Sequence, residues 1–298
     1  MNIKEHQGYL FAVPAIFATL SIAAILVWGL RPGIDVAGGS LLEVSYDSRP
    51  PIESVNETVS KLDLGEIRVQ ASGENDYMLR QKELSQSEKD RLMEALNSLG
   101  AAKEVQFNSV GPSIGAEIVR KSWWAIALVS LAIIAFIAFA FRHVSKPIAS
   151  WKYGIVAIVT LLHDILIPTG LFAYLGHSRD AEVGVLFIVA ILTTLGISIN
   201  DTIVVFDRIR ENLRRNEERN RREPFTDVVW SSIFQTMARS INTSLTVIIM
   251  LAALYFLGPA STKDFSLTLI VGMIAGTYSS IFFAAPLLTV IEKRQRKA

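Results

Sequence analysis

Six stretches of this chain carry almost no charge, and each is long enough, or nearly so, to cross a lipid bilayer. Five are uncharged throughout: 8–30, 122–141, 183–200, 240–262 and 265–291. A sixth, 153–178, is apolar except for His163, Asp164 and His177. Crossing a hydrocarbon core takes about 20 helical residues. No water is available there, so every backbone N–H and C=O must be paired within the segment, which restricts such runs to helices. The overall hydrophobic content of 51% decides little, because a soluble domain comes close to it. The distribution of those residues predicts a polytopic helical membrane protein with six transmembrane helices.

Charge placement predicts orientation. The net charge is only +1, so no basic excess points to nucleic acid. Local bias is strong: Arg208, Arg210, Arg214, Arg215, Arg219, Arg221 and Arg222 crowd one connector, expected as a basic loop over 207–230. Lys293, Arg294, Arg296 and Lys297 crowd the C-terminus, and Arg142, Lys146 and Lys152 flank the connector after the second span. The short loops at 179–182 and 263–264 lack that excess. Positive connectors stay on the cytoplasmic side, which places both termini in the cytoplasm and the segment 31–121 outside. The first run, 8–30, shows no small-residue cleavage signature and is long for a signal sequence, so it reads as a retained span. With no cysteine, disulfides and thiolate metal sites are excluded.

Segment 31–121 has the patterning of a folded, water-exposed domain. Residues 41–46 read as a strand, and Ile52, Val55, Val59 and Leu62 fall at helical spacing after Pro51. Residues 66–71 and 77–81 read as two strands around the turn cluster 72–76. Ser85 or Ser87 can cap a helix carrying Leu92, Met93, Leu96 and Leu99 that stops at Gly100, and 103–110 completes the set. The order βαββαβ predicts a ferredoxin-like α+β domain between helices 1 and 2, followed by helices 2–6 over 122–298. It holds no His or Cys cluster, so neither a metal nor a cofactor is expected.

Function should show where the spans accept a cost, and an ionised side chain at a helix centre costs roughly 2.5–3.5 kcal/mol. Asp164, beside His163, lies mid-span in the third helix, and Asp201 follows Asn200 late in the fourth. Arg239 opens the fifth, which could begin as early as Ser231. Thr194 and Ser198 share a stripe with Asp201, while Asn242, Thr243 and Thr246 form one near Arg239. A facing Asp201–Arg239 pair would make both charges tolerable, and a proton could switch it. Two readings stand at each place. Asp201 and Arg239 are either a relay or helix-end anchors, and His163–Asp164 is either a relay companion or a hydrogen-bonded pair gripping a neighbouring helix. Thr268, Gly272, Gly276 and Ser280, four apart, form a small-residue ridge suited to close helix packing. No His-Glu-x-x-His, Gly-x-Gly-Asp or Gly-x-Ser-x-Gly stands in the spans, so no catalysis is expected.

Four motifs occur in order: Gly-Ile-Asp-Val-Ala-Gly-Gly-Ser at 33–40, Val-Gly-Pro-Ser-Ile-Gly-Ala-Glu at 110–117, Asn-Asp-Thr-Ile-Val-Val-Phe-Asp-Arg-Ile-Arg-Glu-Asn at 200–212, and Arg-Ser-Ile-Asn-Thr-Ser at 239–244. Together they resemble the SecF family of protein-export proteins, related to resistance-nodulation-division transporters, over essentially the whole chain. The resemblance implies a multi-pass protein of the cytoplasmic (inner) membrane bilayer that pairs with SecD. It also implies use of the proton-motive force to help the SecYEG translocon export preproteins. It matches Asp201 and Arg239 to intramembrane charges linked to proton flow, with Asp164 as companion. Val36-Ala37 stands where the family often has an aromatic residue and a Thr or Ser. The alternatives are half of a small-molecule or ion antiporter of the same superfamily, or a structural assembly factor of the translocon that moves no protons.

Overall fold

The structure, a computed structural model, describes residues 7–140 and 147–297. Arg142 and Lys146 of the second connector lie outside the described residues. The chain forms two compact units.

The first unit is helical. It contains α1 (Gln7–Trp28), most of α5 (Pro112–Ala140), α6 (Ser150–Arg179), nearly all of α7 (Val185–Glu218), α8 (Phe225–Leu257), and α9 (Ala260–Ser279), which runs through a π-helical turn at Ser280–Ala284 into α10 (Ala285–Lys297). Among the described residues, six helical spans are long and apolar enough to cross a membrane. Their outward faces are apolar too: Leu128 and Phe136 on α5, and Ile249 and Leu257 on α8, are exposed. Hydroxyl side chains within the spans fold back onto their own helix, as Thr160 does to the Val156 carbonyl at 2.9 Å and Thr169 to that of Ile165 at 2.6 Å. That satisfies them where water is absent. The core is built around Tyr153, Phe206, Trp230, Ile233 and Leu288, with the Tyr153 and Phe206 rings meeting edge-on at 5.4 Å. Gly170 of α6 lies directly against Ser21 of α1, so closely that a methyl group there would collide.

The segment 207–230, expected as a loop, is mostly helix. α7 continues to Glu218 and α8 begins at Phe225. Loss of hydropathy ends a membrane span but does not end a helix. Ion pairs at helical spacing, Arg215–Glu211 at 2.6 Å and Arg214–Glu218 at 2.9 Å, support the extension of α7. On α8, buried Phe225, Val228, Val229 and Trp230 anchor the added turns to the core. Arg239 therefore sits well inside α8 rather than at its start.

The second unit, residues 32–123 with 182–185, contains the sheet. β1 (Gly39–Tyr46), α3 (Ile52–Ser60), β2 (Arg68–Ser72), β3 (Asp76–Gln81), α4 (Gln86–Asn97) and β4 (Ala102–Val110) follow in βαββαβ order. The strand order is β2-β3-β1-β4, antiparallel throughout. Alternation puts Leu42, Val44, Tyr46, Tyr77 and Leu79 on one face, against Val55, Val59, Leu92 and Leu96 of the helices. Burial pushes the Tyr46 hydroxyl up to about 12. Ser85, not Ser87, caps α4 and forms a capping box with Glu88.

A short helix that hydrophobic patterning did not predict, α2 (Ile34–Ala37), occupies the first motif. Gly38 and Gly39 leave it with φ of +80° and +136°, and a Cβ on Gly38 would lie 2.7 Å from Pro112 Cα. Asp35 of this motif accepts the N–H of Val185, the first residue of α7, at 3.0 Å.

Candidate functional site

The polar groups of the helical unit gather at two carboxylates. On α6, Thr160, His163 and Asp164 share the buried side; on α7 the buried side is Thr194, Ser198, Asp201 and Thr202. Gly272 and Gly276 of α9 let that helix approach α7 closely. Gly272 abuts Thr194, and a Cβ on Gly276 would stand 2.9 Å from that of Ser198.

Asp164 is fully buried. Its Oδ2 accepts from Ser198 Oγ on α7 and from Ser279 Oγ at the end of α9, the latter at 2.8 Å. Its Oδ1 lies 2.9 Å from His163 Nδ1. One carboxylate therefore joins three helices. His163 Nε2 is buried and has no partner among the described residues, and the ring rests near Phe283.

Asp201 is 5% exposed and more sparsely bonded. Ser244 Oγ of α8 donates to its Oδ2 at 3.3 Å, and Thr277 Oγ1 of α9 donates to Ser244 Oγ at 2.6 Å. Its neighbour Thr202 meets Ser280 at 2.9 Å, Oγ to Oγ. The π-helical turn begins here, immediately after Ser279, and such turns concentrate where helices carry function.

Arg239 is exposed on α8. It makes no ion pair among the described residues. The facing, contacting pair expected from sequence is thus not formed, because Ser244 rather than Arg239 is the α8 residue that reaches Asp201. Asn200, Asn242 and Thr243 are likewise exposed, and Thr243 Oγ1 donates to the Arg239 carbonyl at 2.9 Å. Ser198 turns to Asp164, not to its stripe-mate Asp201. The partners that sequence reasoning did not single out are Ser244, Thr277, Ser279 and Thr202. Their one signal was hydroxyls beside the Gly272–Gly276 row and inside the 239–244 motif. No group of three or more His, Cys, Asp or Glu side chains among the described residues could hold a metal ion.

A sequence profile described as "Protein export membrane protein SecD/SecF, C-terminal" matches residues 91–294. The protein translocase subunit SecF of Thermobaculum terrenum is 43% identical, over 91% of this chain and 87% of its own length. That of Anaerolinea thermophila is 34% identical, over 98% of this chain and 94% of its own. The chain belongs to the SecF family of protein-export membrane proteins. Among solved structures, SecDF from Thermus, a translocon-associated membrane protein, superposes with a TM-score of 0.84 at 29% identity. The match takes in 98% of this chain and 39% of that one. SecDF in a super-membrane-facing form gives 0.70 at 28% identity, over all of this chain and 39% of the other. The SecD/SecF C-terminal profile runs from within α4 to α10 and so takes in both carboxylates. With its six apolar helical spans, the SecF-family chain is a multi-pass membrane protein.

Proposed function

We propose that this chain is a non-enzymatic accessory subunit of the Sec export machinery. It pairs with SecD and uses the proton-motive force to promote preprotein movement through SecYEG across the cytoplasmic membrane. In this reading both termini lie in the cytoplasm and the α+β domain lies outside.

One observation carries the ion-coupling half. Asp201 is a nearly buried carboxylate in a membrane-spanning helix, held by one long hydroxyl bond and without an ion pair among the described residues. A charge left this lightly compensated is sensitive to the arrival of a proton. A proton crossing 100 mV carries about 2.3 kcal/mol, enough to reweight two bundle states of similar energy. Protonation of Asp201 weakens its attraction to Arg239 and lets α7 and α8 shift, with Asp164 holding α6, α7 and α9 together meanwhile. Support for SecD as partner comes from the exposed polar side chains of α7 and α8: Asn200, Arg239, Asn242 and Thr243 are costly against lipid and suited to a facing protein.

Asp201→Asn is expected to abolish proton-dependent stimulation of export in vesicles carrying SecD and SecYEG, with assembly unchanged. Full stimulation by that variant rejects the relay. If Arg239→Gln also retains it, the chain acts as a static clamp on the translocon.

A further inference from the structure

His163 is a buried titratable side chain that the proposed mechanism leaves unused, 7% exposed in the middle of α6. The hydrogen bonds around Asp164 fix where its hydrogens lie. Asp164 Oδ2 accepts from Ser198 and, at 2.8 Å, from Ser279, whose other acceptor, the Gly276 carbonyl, stands farther off at 3.1 Å. A carboxylate that takes donors on both oxygens acts as an acceptor only, so the hydrogen in its 2.9 Å bond to His163 Nδ1 belongs to the ring. A neutral imidazole that donates through Nδ1 presents Nε2 as a lone-pair acceptor. That acceptor is buried, and no donor among the described residues meets it.

We infer that His163 Nε2 is a second, exchangeable proton-binding position of the helical unit, with the Asp164 carboxylate as counter-ion. The step adds one proton from the aqueous phase to the Nε2 lone pair, and Nδ1 keeps its own. It turns a buried carboxylate beside a neutral ring into an ion pair without net charge, and an unbalanced buried charge is the costlier state. The surroundings suit a cation. The Phe283 ring lies 5.4 Å from the imidazole, within the roughly 6 Å at which an aromatic face attracts positive charge, and Phe11 of α1 backs it edge-on. Of the elements meeting α6 here, α7 brings Asp201, itself engaged by Ser244, and α9 brings Tyr278, whose ring lies against Phe282, with Lys263 and Asp264 near its start. α10 carries Glu292, Lys293 and Arg294 beyond the π-helical turn, and α1 carries no titratable residue over 11–28. The new site bears on the same turn as Asp201: Ser279 donates to Asp164, Ser280 meets Thr202 beside Asp201, and Phe283 follows. Its use in coupling rests on the proposed function; the binding of the proton does not.

The test is solid-state nitrogen NMR of the full-length chain in nanodiscs, with isotope-labelled histidine. The chain has 4 histidines, and only His163 follows a leucine, so carbonyl-labelled leucine assigns its signals without any variant. Spectra run from about pH 5 to about pH 8, the range in which imidazoles ordinarily change charge. Both ring nitrogens of His163 are expected to carry hydrogen at the acid end, and Nδ1 alone at the other. His163→Gln removes these signals and no others, and Asp164→Asn, which takes away the counter-charge, abolishes the doubly protonated form over the whole range. Asp201→Asn leaves the change intact, and the measurement needs neither SecD nor an export assay, so failure of the Asp201 relay and failure of this site are separable. A ring that stays neutral throughout marks a hydrogen-bonded structural pair and overturns the inference. So does a ring that stays charged throughout, or one that changes charge equally well in folded Asp164→Asn.

Discussion

At the scale of single residues, Asp164 and Asp201 meet the same problem differently. Each places carboxylate oxygens among apolar helices, where an unpaired oxygen is expensive. Asp164 engages two hydroxyls and an imidazole, while Asp201 engages one hydroxyl at 3.3 Å. Asp164→Ala strands the hydroxyls of Ser198 and Ser279 and is expected to cost about 1–3 kcal/mol. The thermal unfolding midpoint of the purified protein should fall accordingly. Asp164→Asn should fall less, because an amide oxygen still accepts. Asp201→Asn, by contrast, should leave the midpoint near that of the unaltered chain while removing proton-dependent activity. Equal losses of stability at both positions would place them in one structural role. The residue types at 164 and 201 were legible from their placement in apolar runs. Which hydroxyls they hold was not, since Ser279 lies 115 positions from Asp164.

At the scale of elements, helix ends and helix contacts follow different rules. The start of α4 is local chemistry: Ser85 Oγ accepts the Glu88 N–H at 3.4 Å, and Glu88 Oε2 accepts the Ser85 N–H at 2.8 Å. Those bonds hold the Glu88 carboxyl below the usual carboxylate range. A depressed folded value means that the stabilisation is complete above the unfolded pKa and is lost as pH falls through the folded one. Hydrogen exchange at the Ser85 amide, corrected for intrinsic rate, should therefore quicken on acidification, and Glu88→Gln should flatten that dependence. Ser85→Ala should cost about 1 kcal/mol at neutral pH. The approach of α9 to α7 is different in kind. Gly272 and Gly276 announce a close contact, but only the fold matches them to Thr194 and Ser198. The π-helical turn at Ser280–Ala284 had no sequence signal at all. The length of α7 was underestimated because the ion pairs that carry it past Asp207 are polar, and hydropathy does not register them.

At the scale of the whole molecule, orientation follows from charge. The chain has no cysteine, so single substitutions give clean reporters of sidedness. In right-side-out membranes, an impermeant maleimide should label Glu74→Cys, in the β2–β3 turn, and not Arg221→Cys, between α7 and α8. The reverse pattern would invert the topology. The six spans and the βαββαβ domain could be read from sequence because hydropathy and strand alternation are properties of contiguous segments. The fate of each intramembrane polar group could not. Whether Ser244 or Arg239 reaches Asp201 depends on how helices rotate and cross. Packing between distant segments settles those rotations and leaves no local trace in the residues themselves.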